Sequence, residues 1–216
     1  GLAPGKLPQA IRRGDHEAVL AAAASEFQRL EAMRRYSRDS IVEYGRRLLR
    51  QLEDALQSLD MLPPGEPAQL SLHKSASFAD VREQVLLHFR NTLQRAAELQ
   101  AYNHAAIRRV DAYIQEHFAE DLNVKQLAAL AKITPNYFSH LYKKVMGISF
   151  TERLHALRIK KARELILHTD LLIYEIGRQV GYSSYPYFIQ VFKKLAGCSP
   201  AELRKHPNIV GELNNL

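Results

Sequence analysis

The chain has 216 residues, 46% of them hydrophobic, and a net charge of +7, a balance that argues against disorder and leaves room for two modest domains of about 100 residues. Leu, Ala, Arg and Glu dominate and Trp is absent, so the composition favours an all-α protein. A single Cys excludes a disulfide framework and a Cys-based zinc site and suits the cytoplasm, and no apolar run approaches the roughly 20 residues that span a bilayer.

The first half of the chain is predicted to form amphipathic helices, and its beginning, GLAPGKLPQA, lacks a Met, so we expect a piece of a longer protein. A short helix at LPQAIRR is followed by Asp15, the predicted N-cap of HEAVLAAAASEFQRLEAMRRY. Another helix is predicted in SIVEYGRRLLRQLEDALQSL. Because paired prolines cannot continue a helix, the run MLPPGEPAQ predicts a loop over residues 61–76.

Ser77 and Asp80 form a capping-box pattern that opens the next helix, VREQVLLHFRNTLQRAAELQ. Its apolar periodicity fades near Tyr102, Asn103 and His104, where we place a domain boundary across which the chain can remain helical. We therefore predict three segments: a helical linker and signal-transmission domain at 1–104, a second domain at 105–207 and a C-terminal tail at 208–216.

The second domain is predicted to contain seven helices. They are 107–117, 124–131, 135–146, 149–168, 173–180, 186–195 and 201–205. The breaks carry residues that favour helix ends: Asp121 and Asn123 as caps, Thr134 as a cap before Pro135, and Gly147 and Gly197 in the left-handed conformation.

The basic excess of the chain lies in this second domain. Residues 105–207 carry 16 Lys and Arg against nine Asp and Glu, whereas residues 1–104 carry 14 against 13. A polyanionic partner is therefore expected to bind the second domain. The excess is weak support by itself, because a charged face is commonly just a solvated one.

The second domain also contains an internal duplication. A set of residues recurs 50 positions later: Tyr137, Phe138, Lys143, Lys144, Gly147, Ser149 and Glu152 return as Tyr187, Phe188, Lys193, Lys194, Gly197, Ser199 and Glu202. Upstream the offset is 49, which aligns Leu127 with Ile176, so the second turn is one residue longer. Each copy reads short helix, tight turn, longer helix, the pattern of a helix-turn-helix whose second helix enters the DNA major groove.

One helix of about 20 residues, 149–168, joins the two copies and spans roughly 30 Å. Apolar residues towards both of its ends give each copy a packing surface. A rod of that length can hold two recognition helices near the ~34 Å repeat at which successive major-groove segments face the same side of DNA. The chain is thus predicted to read two successive segments of one duplex.

Two stretches, QLAALAKITPNYFSHLYKKVMGISFTERLHALRIKKARELI and IYEIGRQVGYSSYPYFIQVFKKLAGCSPAELRK, contain both helix-turn-helix units and the helix between them. They resemble the DNA-binding domain of the AraC/XylS family over nearly its whole length. Gly177 departs from the Ala that the family usually has, and Pro186 stands where many relatives have a polar residue. Gly177 either costs about 1 kcal/mol of helix propensity or allows closer helix packing.

Each predicted recognition helix has an apolar face that packs inward and a polar face. The resemblance places DNA-contacting residues on the polar faces and at the helix starts: Thr134, Asn136, Ser139, His140, Lys143 and Lys144 in the first unit, and Ser184, Tyr185, Ile189, Gln190 and Lys193 in the second. Side chains such as Asn136 and Gln190 suit adenine, and His140 suits a guanine acceptor. Lysines and the capping hydroxyls suit phosphates, whereas Ile189 either touches a thymine methyl group or is partly buried.

Neighbouring residues have plainer interpretations. The cationic run from Arg158 to Arg163 is expected to be solvated or salt-bridged rather than in a groove. The pairs Tyr137–Phe138 and Tyr187–Phe188 are expected in the core, with the Tyr hydroxyls free to reach phosphate.

The motifs AIRRGDHEAVLAAAASEF and SFADVREQVL resemble the helical segment before the DNA-binding domain in YesN-like members of the family, with a generic helical bundle as the alternative. Such members are commonly response regulators of two-component systems or membrane-anchored proteins. The resemblance implies a bacterial, cytoplasmic transcription regulator, here an activator, although the residues leave activation or repression open. It also implies partners: double-stranded DNA, a second copy of the chain when activated or on DNA, and RNA polymerase, with no membrane contact.

Catalytic motifs are not found in the sequence. It contains no nucleophile elbow, zinc-protease motif, P-loop or dinucleotide fingerprint, and its nine His residues show no metal-ligand spacing. We therefore expect no enzyme activity, no cofactor and no metal. The alternative to a DNA-binding regulator is a helical protein–protein interaction module with a basic face, which would leave the repeat and its spacing without a purpose.

Overall fold

The computed structural model describes residues 6–33, 37–62 and 77–207. Within these residues the chain forms ten helices and no strand, which confirms the all-α prediction. Residues 34–36 of the predicted second helix, the predicted loop from residue 63 onward and the predicted tail at 208–216 lie outside the described residues.

Four helices account for the described part of the first half: α1 (Lys6–Arg12), α2 (His16–Met33), α3 (Arg38–Ser58) and α4 (Phe78–His117). The predicted caps are confirmed, since Asp15 Oδ1 accepts the amide of Ala18 at 3.0 Å and Ser77 Oγ accepts the amide of Asp80 at 3.2 Å. These helices bury one apolar core, in which the side chains of Phe27, Leu52 and Phe89 are fully buried.

Helix α4 is longer than its periodicity indicated. The chain divides into two compact units, Gly1–Tyr102 and Asn103–Leu216, and α4 continues through the division for 40 residues in all. The predicted separate helix at 107–117 is therefore the last part of α4, because neither Gly nor Pro interrupts it. The periodicity fades where Asn103, 5% exposed, donates from its Nδ2 to the hydroxyl of Tyr137 at 3.1 Å.

The compact part of the chain that begins at Asn103 contains six further helices: α5 (Val124–Leu130), α6 (Pro135–Met146), α7 (Phe150–His168), α8 (Ile173–Gln179), α9 (Tyr185–Ala196) and α10 (Pro200–Lys205). Each agrees with its prediction to within one residue at either end. Of the two cap candidates before α5, Asn123 is the cap, and α6 and α9 end at Gly147 and Gly197 with φ of 78° and 74°.

The linker helix α7 packs against two apolar cores. Phe150 and Leu154, near its start, belong to the core around Phe138 of the first helix-turn-helix. Ile159 and Ile166 belong to the core around the second. The predicted rod is thus a continuous helix with a packing surface for each unit.

Gly177 of α8 occupies the position that Ala128 has in α5. A Cβ atom there would lie 2.9 Å from Cδ1 of Phe188, whose ring is fully buried. Of the two interpretations of Gly177, the structure therefore supports closer packing: the missing methyl group lets the aromatic ring of α9 approach the backbone of α8.

We expect Gly177→Ala to lower the free energy of unfolding by about 1 kcal/mol. Overpacking a filled core costs about 1–3 kcal/mol, which exceeds the gain of about 1 kcal/mol in helix propensity. Urea denaturation followed by circular dichroism measures the change. The matched control is Phe188→Leu combined with Gly177→Ala, in which the smaller side chain should accept the methyl group; a stabilised single variant would contradict the packing argument.

Candidate nucleic-acid interface

Each of the two helix-turn-helix units turns through a residue with positive φ. Residues 131–134 join α5 to α6 and residues 180–184 join α8 to α9, which confirms that the second turn is one residue longer. Equivalent positions in the two turns are left-handed, with φ of 56° at Lys132 and 96° at Gly181. The internal duplication of the sequence is therefore a duplication of structure.

The starts of α6 and α9 are capped in the same way. The hydroxyl oxygens of Thr134 and Ser184 each accept the backbone amide three residues on, at 3.4 Å. Proline occupies the first position of α6 and the second of α9, so each helix start has one fewer N–H to offer an anion. The hydroxyl protons of both caps remain available as donors to a phosphate.

The two longer helices show the predicted division into an inner and an outer face. Phe138, Leu141 and Tyr142 of α6 and Phe188, Val191 and Phe192 of α9 are buried. Ten of the predicted DNA-contacting side chains are exposed: Thr134, Asn136, Ser139, His140, Lys143, Lys144, Ser184, Tyr185, Gln190 and Lys193. Ile189 is half-buried and packs against the second core, which leaves part of its surface for an apolar contact.

Lysines from both longer helices act on a single carboxylate at the start of α7. Hydrogen bonds from Ser149, followed by the positive charges of Lys143 and Lys194, lower the pKa of the Glu152 carboxyl. Lys143 lies in the last turn of α6 and Lys194 in the last turn of α9. The last turns of α6 and α9 therefore both bring positive charge near the start of the linker helix.

A groove of about 330 Å³ lies between α7 and α9. Ile148, Ala156, Val191 and Leu195 contribute its apolar surface, and Glu152, His155, Gln190 and Lys194 contribute its polar groups. The groove runs beside the outer face of α9. It leaves the amide of Gln190 and the ammonium of Lys194 accessible along one edge.

Tyr187, which we expected in the core, is 47% exposed. The two nitrogens of His155 on α7 pair with tyrosine hydroxyls, Nδ1 with Tyr182 at 2.9 Å and Nε2 with Tyr187 at 3.2 Å. Burial, and then the charges of Arg158 and Lys194, lower the pKa of His155, so the imidazole is neutral at neutral pH and one nitrogen donates while the other accepts. Tyr187 is thus held at the surface by its hydroxyl and by ring contacts with His155 and Tyr182, whereas Tyr137 is half-buried.

Arg158, which we expected to be solvated or salt-bridged, is buried with 8% exposure. Its guanidinium donates to main-chain carbonyls of the segment after α4 instead of to a carboxylate. The prediction was wrong because these acceptors lie about 40 residues away along the chain, beyond any local pattern.

A buried ion pair attaches the start of α7 to α4. Arg153 donates from Nε and Nη2 to the two carboxylate oxygens of Asp111, each at 3.0 Å. The Tyr142 hydroxyl of α6 donates to the same carboxylate at 2.6 Å, and Gln115 donates at 2.6 Å. The carboxylate of Asp111 therefore connects α4, α6 and α7, and the residue is only 5% exposed.

Comparison with known proteins agrees with this architecture. Residues 127–206 match the family model of a helix-turn-helix domain. The chain is 36% identical over 96 residues to the regulatory protein PocR of Salmonella typhimurium, which covers 44% of this chain and 32% of that protein. It is 34% identical over 99 residues to the arabinose operon regulatory protein of Escherichia coli, which covers 45% of this chain and 34% of that protein.

The C-terminal half of the chain belongs to the AraC/XylS family. Its AraC/XylS domain is a helix-turn-helix DNA-binding domain of transcription regulators rather than an enzyme domain. The chain spans about a third of the length of both relatives. Among solved structures, the C-terminal domain of AraT, a response regulator from Geobacillus stearothermophilus, is similar at 39% identity over 51% of this chain and 91% of that one, with a TM-score of 0.46.

Lys194 is a candidate contact of the AraC/XylS domain that the sequence did not single out. Its equivalent in the first unit, Lys144, was included, and the repeated Lys–Lys pair was the signal that would have found it. In the structure Lys194 lines the groove beside α9 and acts on Glu152 together with Lys143.

Among residues 6–33, 37–62 and 77–207, no three His, Cys, Asp or Glu side chains come together as a metal ion would require. In the same part of the chain, no helix combines the length and the apolar character needed to cross a membrane.

Proposed function

We propose that the chain is the output portion of a two-component-type response regulator, a sequence-specific regulator in which α6 and α9 read two successive major-groove segments. The observation that supports two-segment reading best is the repeat of one arrangement along α7: α6 and α9 each bury one face in a core to which α7 contributes, and each exposes its predicted contact residues. Two recognition helices held on one continuous helix are what insertion into two successive major-groove segments requires.

In this proposal, base contacts come from exposed side chains on the outer faces of the two helices. Asn136 and Gln190 offer an amide that fits adenine, and His140 offers an imidazole that donates to guanine. Ser139 also donates to the carbonyl of Pro135 at 3.1 Å, which orients its oxygen as an acceptor for an amino group of a base. Ile189 contributes apolar contact to a thymine methyl group.

Phosphate contacts in the proposal come from the helix ends. They involve the hydroxyls of Thr134 and Ser184 at the starts, the phenol of Tyr185, and Lys143, Lys144 and Lys193 at the ends, to which the structure adds Lys194. These groups fix the register of the protein on the duplex, whereas the base contacts supply its sequence preference.

Residues 1–104 have the role of a linker and signal-transmission domain in this proposal, and the setting is the bacterial cytoplasm. The response-regulator setting rests on the resemblance of these residues to YesN-like sequences. A signal received upstream must change the position or the pairing of the DNA-binding domain to have an effect. We therefore propose that this segment pairs two chains on DNA, and that the bound regulator acts as an activator through RNA polymerase.

The experiment that tests sequence-specific reading is substitution of Ser139 and His140 by Ala together. The duplex is one selected by the wild-type chain from a randomised pool, and a scrambled duplex competes with it. Each lost base contact removes about 1–3 kcal/mol of discrimination, so we expect the preference for the selected duplex to fall at least tenfold.

The matched control for this test is His168→Ala, an exposed histidine at the end of α7. It should leave the preference unchanged, and circular dichroism should show that both variants are folded. Wild-type chain that binds both duplexes equally would contradict sequence-specific reading. A preference that survives in the double variant would remove Ser139 and His140 from the proposed interface.

A further inference from the structure

Arg158 on α7 connects the linker helix to the segment that follows α4. Its Nε donates to the carbonyl of Phe118 at 2.7 Å and its Nη2 donates to the carbonyl of Glu120 at 2.8 Å. The residue is 8% exposed, and burying a charged group is costly unless it is hydrogen-bonded. The middle of α7 is therefore attached to the main chain that leads into the first helix-turn-helix.

The same segment touches the turn of the second helix-turn-helix. A Cβ atom on Gly181 would lie 2.6 Å from the carbonyl oxygen of Ala119 and 2.9 Å from Nη2 of Arg158. The ring of Tyr182 lies under the guanidinium, 5.3 Å from Cζ to the ring centroid. Phe118 packs against the cores of both units.

The equivalent turn of the first unit shows why position 181 is glycine. Lys132 is left-handed there with φ of 56° and carries a full side chain, whereas Gly181 has φ of 96°, a conformation that side chains rarely adopt. At Gly181 the backbone of Ala119 occupies the space that a side chain would need. The glycine therefore serves the direct contact between the two units as well as the turn.

We propose that Phe118, Ala119, Glu120, Arg158, Gly181 and Tyr182, here called the Arg158 clamp, fix the separation of the two helix-turn-helix units and so determine which spacing between two DNA segments the protein accepts. This inference rests on the proposed two-segment reading. It assigns Arg158 a positioning role, since its guanidinium is occupied by carbonyls and does not reach DNA.

The Arg158 clamp can fix this separation because two connections between the helix-turn-helix units restrain their relative movement more than one connection does. Packing on α7 already restrains each unit, and the freedom that remains is a swing about the short segments 147–149 and 169–172 at the ends of α7. The Arg158 clamp adds a second connection away from those segments and removes that freedom. One inserted base pair moves the second segment by about 3.4 Å and rotates it by about 35°, a change that a hinged pair of units follows and a clamped pair does not.

The test measures the affinity of the full chain for three duplexes. One is selected by the wild-type chain from a randomised pool, and the others have one base pair inserted or deleted between the two contacted segments. The wild-type chain should lose at least about tenfold in affinity on either altered duplex. Arg158→Met should reduce that loss to less than about threefold, and Arg158→Lys, which keeps one donor group, should fall between.

Arg163→Met is the matched control, because it removes the same charge from the same helix five residues on. The ratio of its affinity for the selected duplex to its affinity for an altered duplex should equal the wild-type ratio. A general loss of electrostatic attraction weakens binding to both duplexes and cancels in this ratio. A folded Arg158→Met variant that discriminates spacing as well as the wild type would overturn the proposal.

A second measurement tests the Arg158 clamp without DNA. Spin labels at Lys125→Cys on α5 and Gln179→Cys on α8, both exposed positions, report the distance between the units in a Cys198→Ala background. The distance distribution should be narrow in the parent chain and clearly broader with Arg158→Met, or with Arg158→Lys if the Met variant does not fold. An unchanged width would overturn the proposal.

The two measurements also separate this inference from the function on which it rests. Wild-type chain that binds without any dependence on spacing would refute two-segment reading, and the spin-label widths would then decide on the Arg158 clamp by themselves.

Discussion

Replacing Arg153 by Met is expected to lower the free energy of unfolding of the part of the chain from Asn103 onward by about 3 kcal/mol, the lower end of the cost of breaking a buried pair, because the Arg153 side chain is 25% exposed. The substitution leaves the buried carboxylate of Asp111 with Tyr142 and Gln115 as donors and without its counter-charge. An uncompensated buried charge costs more than the pair itself contributes. Hydrogen–deuterium exchange, resolved by peptide, measures the loss within residues 103–207 separately from the rest of the chain.

Two controls identify the cause of that loss. Arg50→Met removes an arginine whose Nη2 lies 2.8 Å from Glu43 Oε1 in an exposed pair, so its effect on stability should be far smaller. Combining Arg153→Met with Asp111→Leu and Tyr142→Phe removes every charge and hydroxyl of the network and should recover much of the stability. A triple variant less stable than Arg153→Met would contradict the explanation by an uncompensated carboxylate.

The pH dependence gives a second check on the same substitution. Burial acts to raise the pKa of Asp111, but hydrogen bonds from Arg153, Tyr142 and Gln115 outweigh it and hold this pKa below the ordinary value. A carboxyl with a lowered folded-state pKa contributes its stability above the unfolded pKa, about 3.9, and loses it as the pH falls through the folded value. The difference between wild type and Arg153→Met should therefore be full at neutral pH and shrink below about pH 4.

Local chemistry was sufficient to predict the six helices α5 to α10. The hydroxyl of Thr134 before Pro135 and the left-handed Gly147 define α6 through interactions within a few residues, and the repeat transfers the same rule to α9. The outer faces of both helices followed from periodicity, because burial of Phe138 and Phe188 orients the polar residues away from the core.

The errors concern residues whose partners are distant in sequence. Arg158 was expected to be solvated or salt-bridged, whereas its acceptors are the carbonyls of Phe118 and Glu120. Tyr187 was expected in the core, whereas it is exposed and its hydroxyl pairs with His155, 32 residues before it. The apolar periodicity of a single helix cannot predict these pairings, because they are tertiary contacts between residues far apart in the sequence.

Raising the salt concentration from 50 to 200 mM is expected to weaken DNA binding by about 100- to 1,000-fold, the largest effect expected on function. The estimate takes about four to six phosphates neutralised by the lysines at the ends of α6 and α9, with counterions released for each. Lys143→Ala and Lys194→Ala should each reduce the slope of log affinity against log salt by about 1. Fluorescence anisotropy with the selected duplex at a series of salt concentrations measures the slope.

Lys161→Ala is the matched control for the salt experiment. Lys161 follows Glu152 by nine residues on α7, which places it on the opposite side of that helix from the carboxylate on which Lys143 and Lys194 act. It also forms an exposed pair with Glu164 at 3.0 Å, so its loss removes one positive charge without disturbing the core. Equal slopes for Lys143→Ala, Lys194→Ala and Lys161→Ala would mean that net charge alone attracts DNA. A smaller slope confined to the first two would instead support contact along the side of α7 where both recognition helices end.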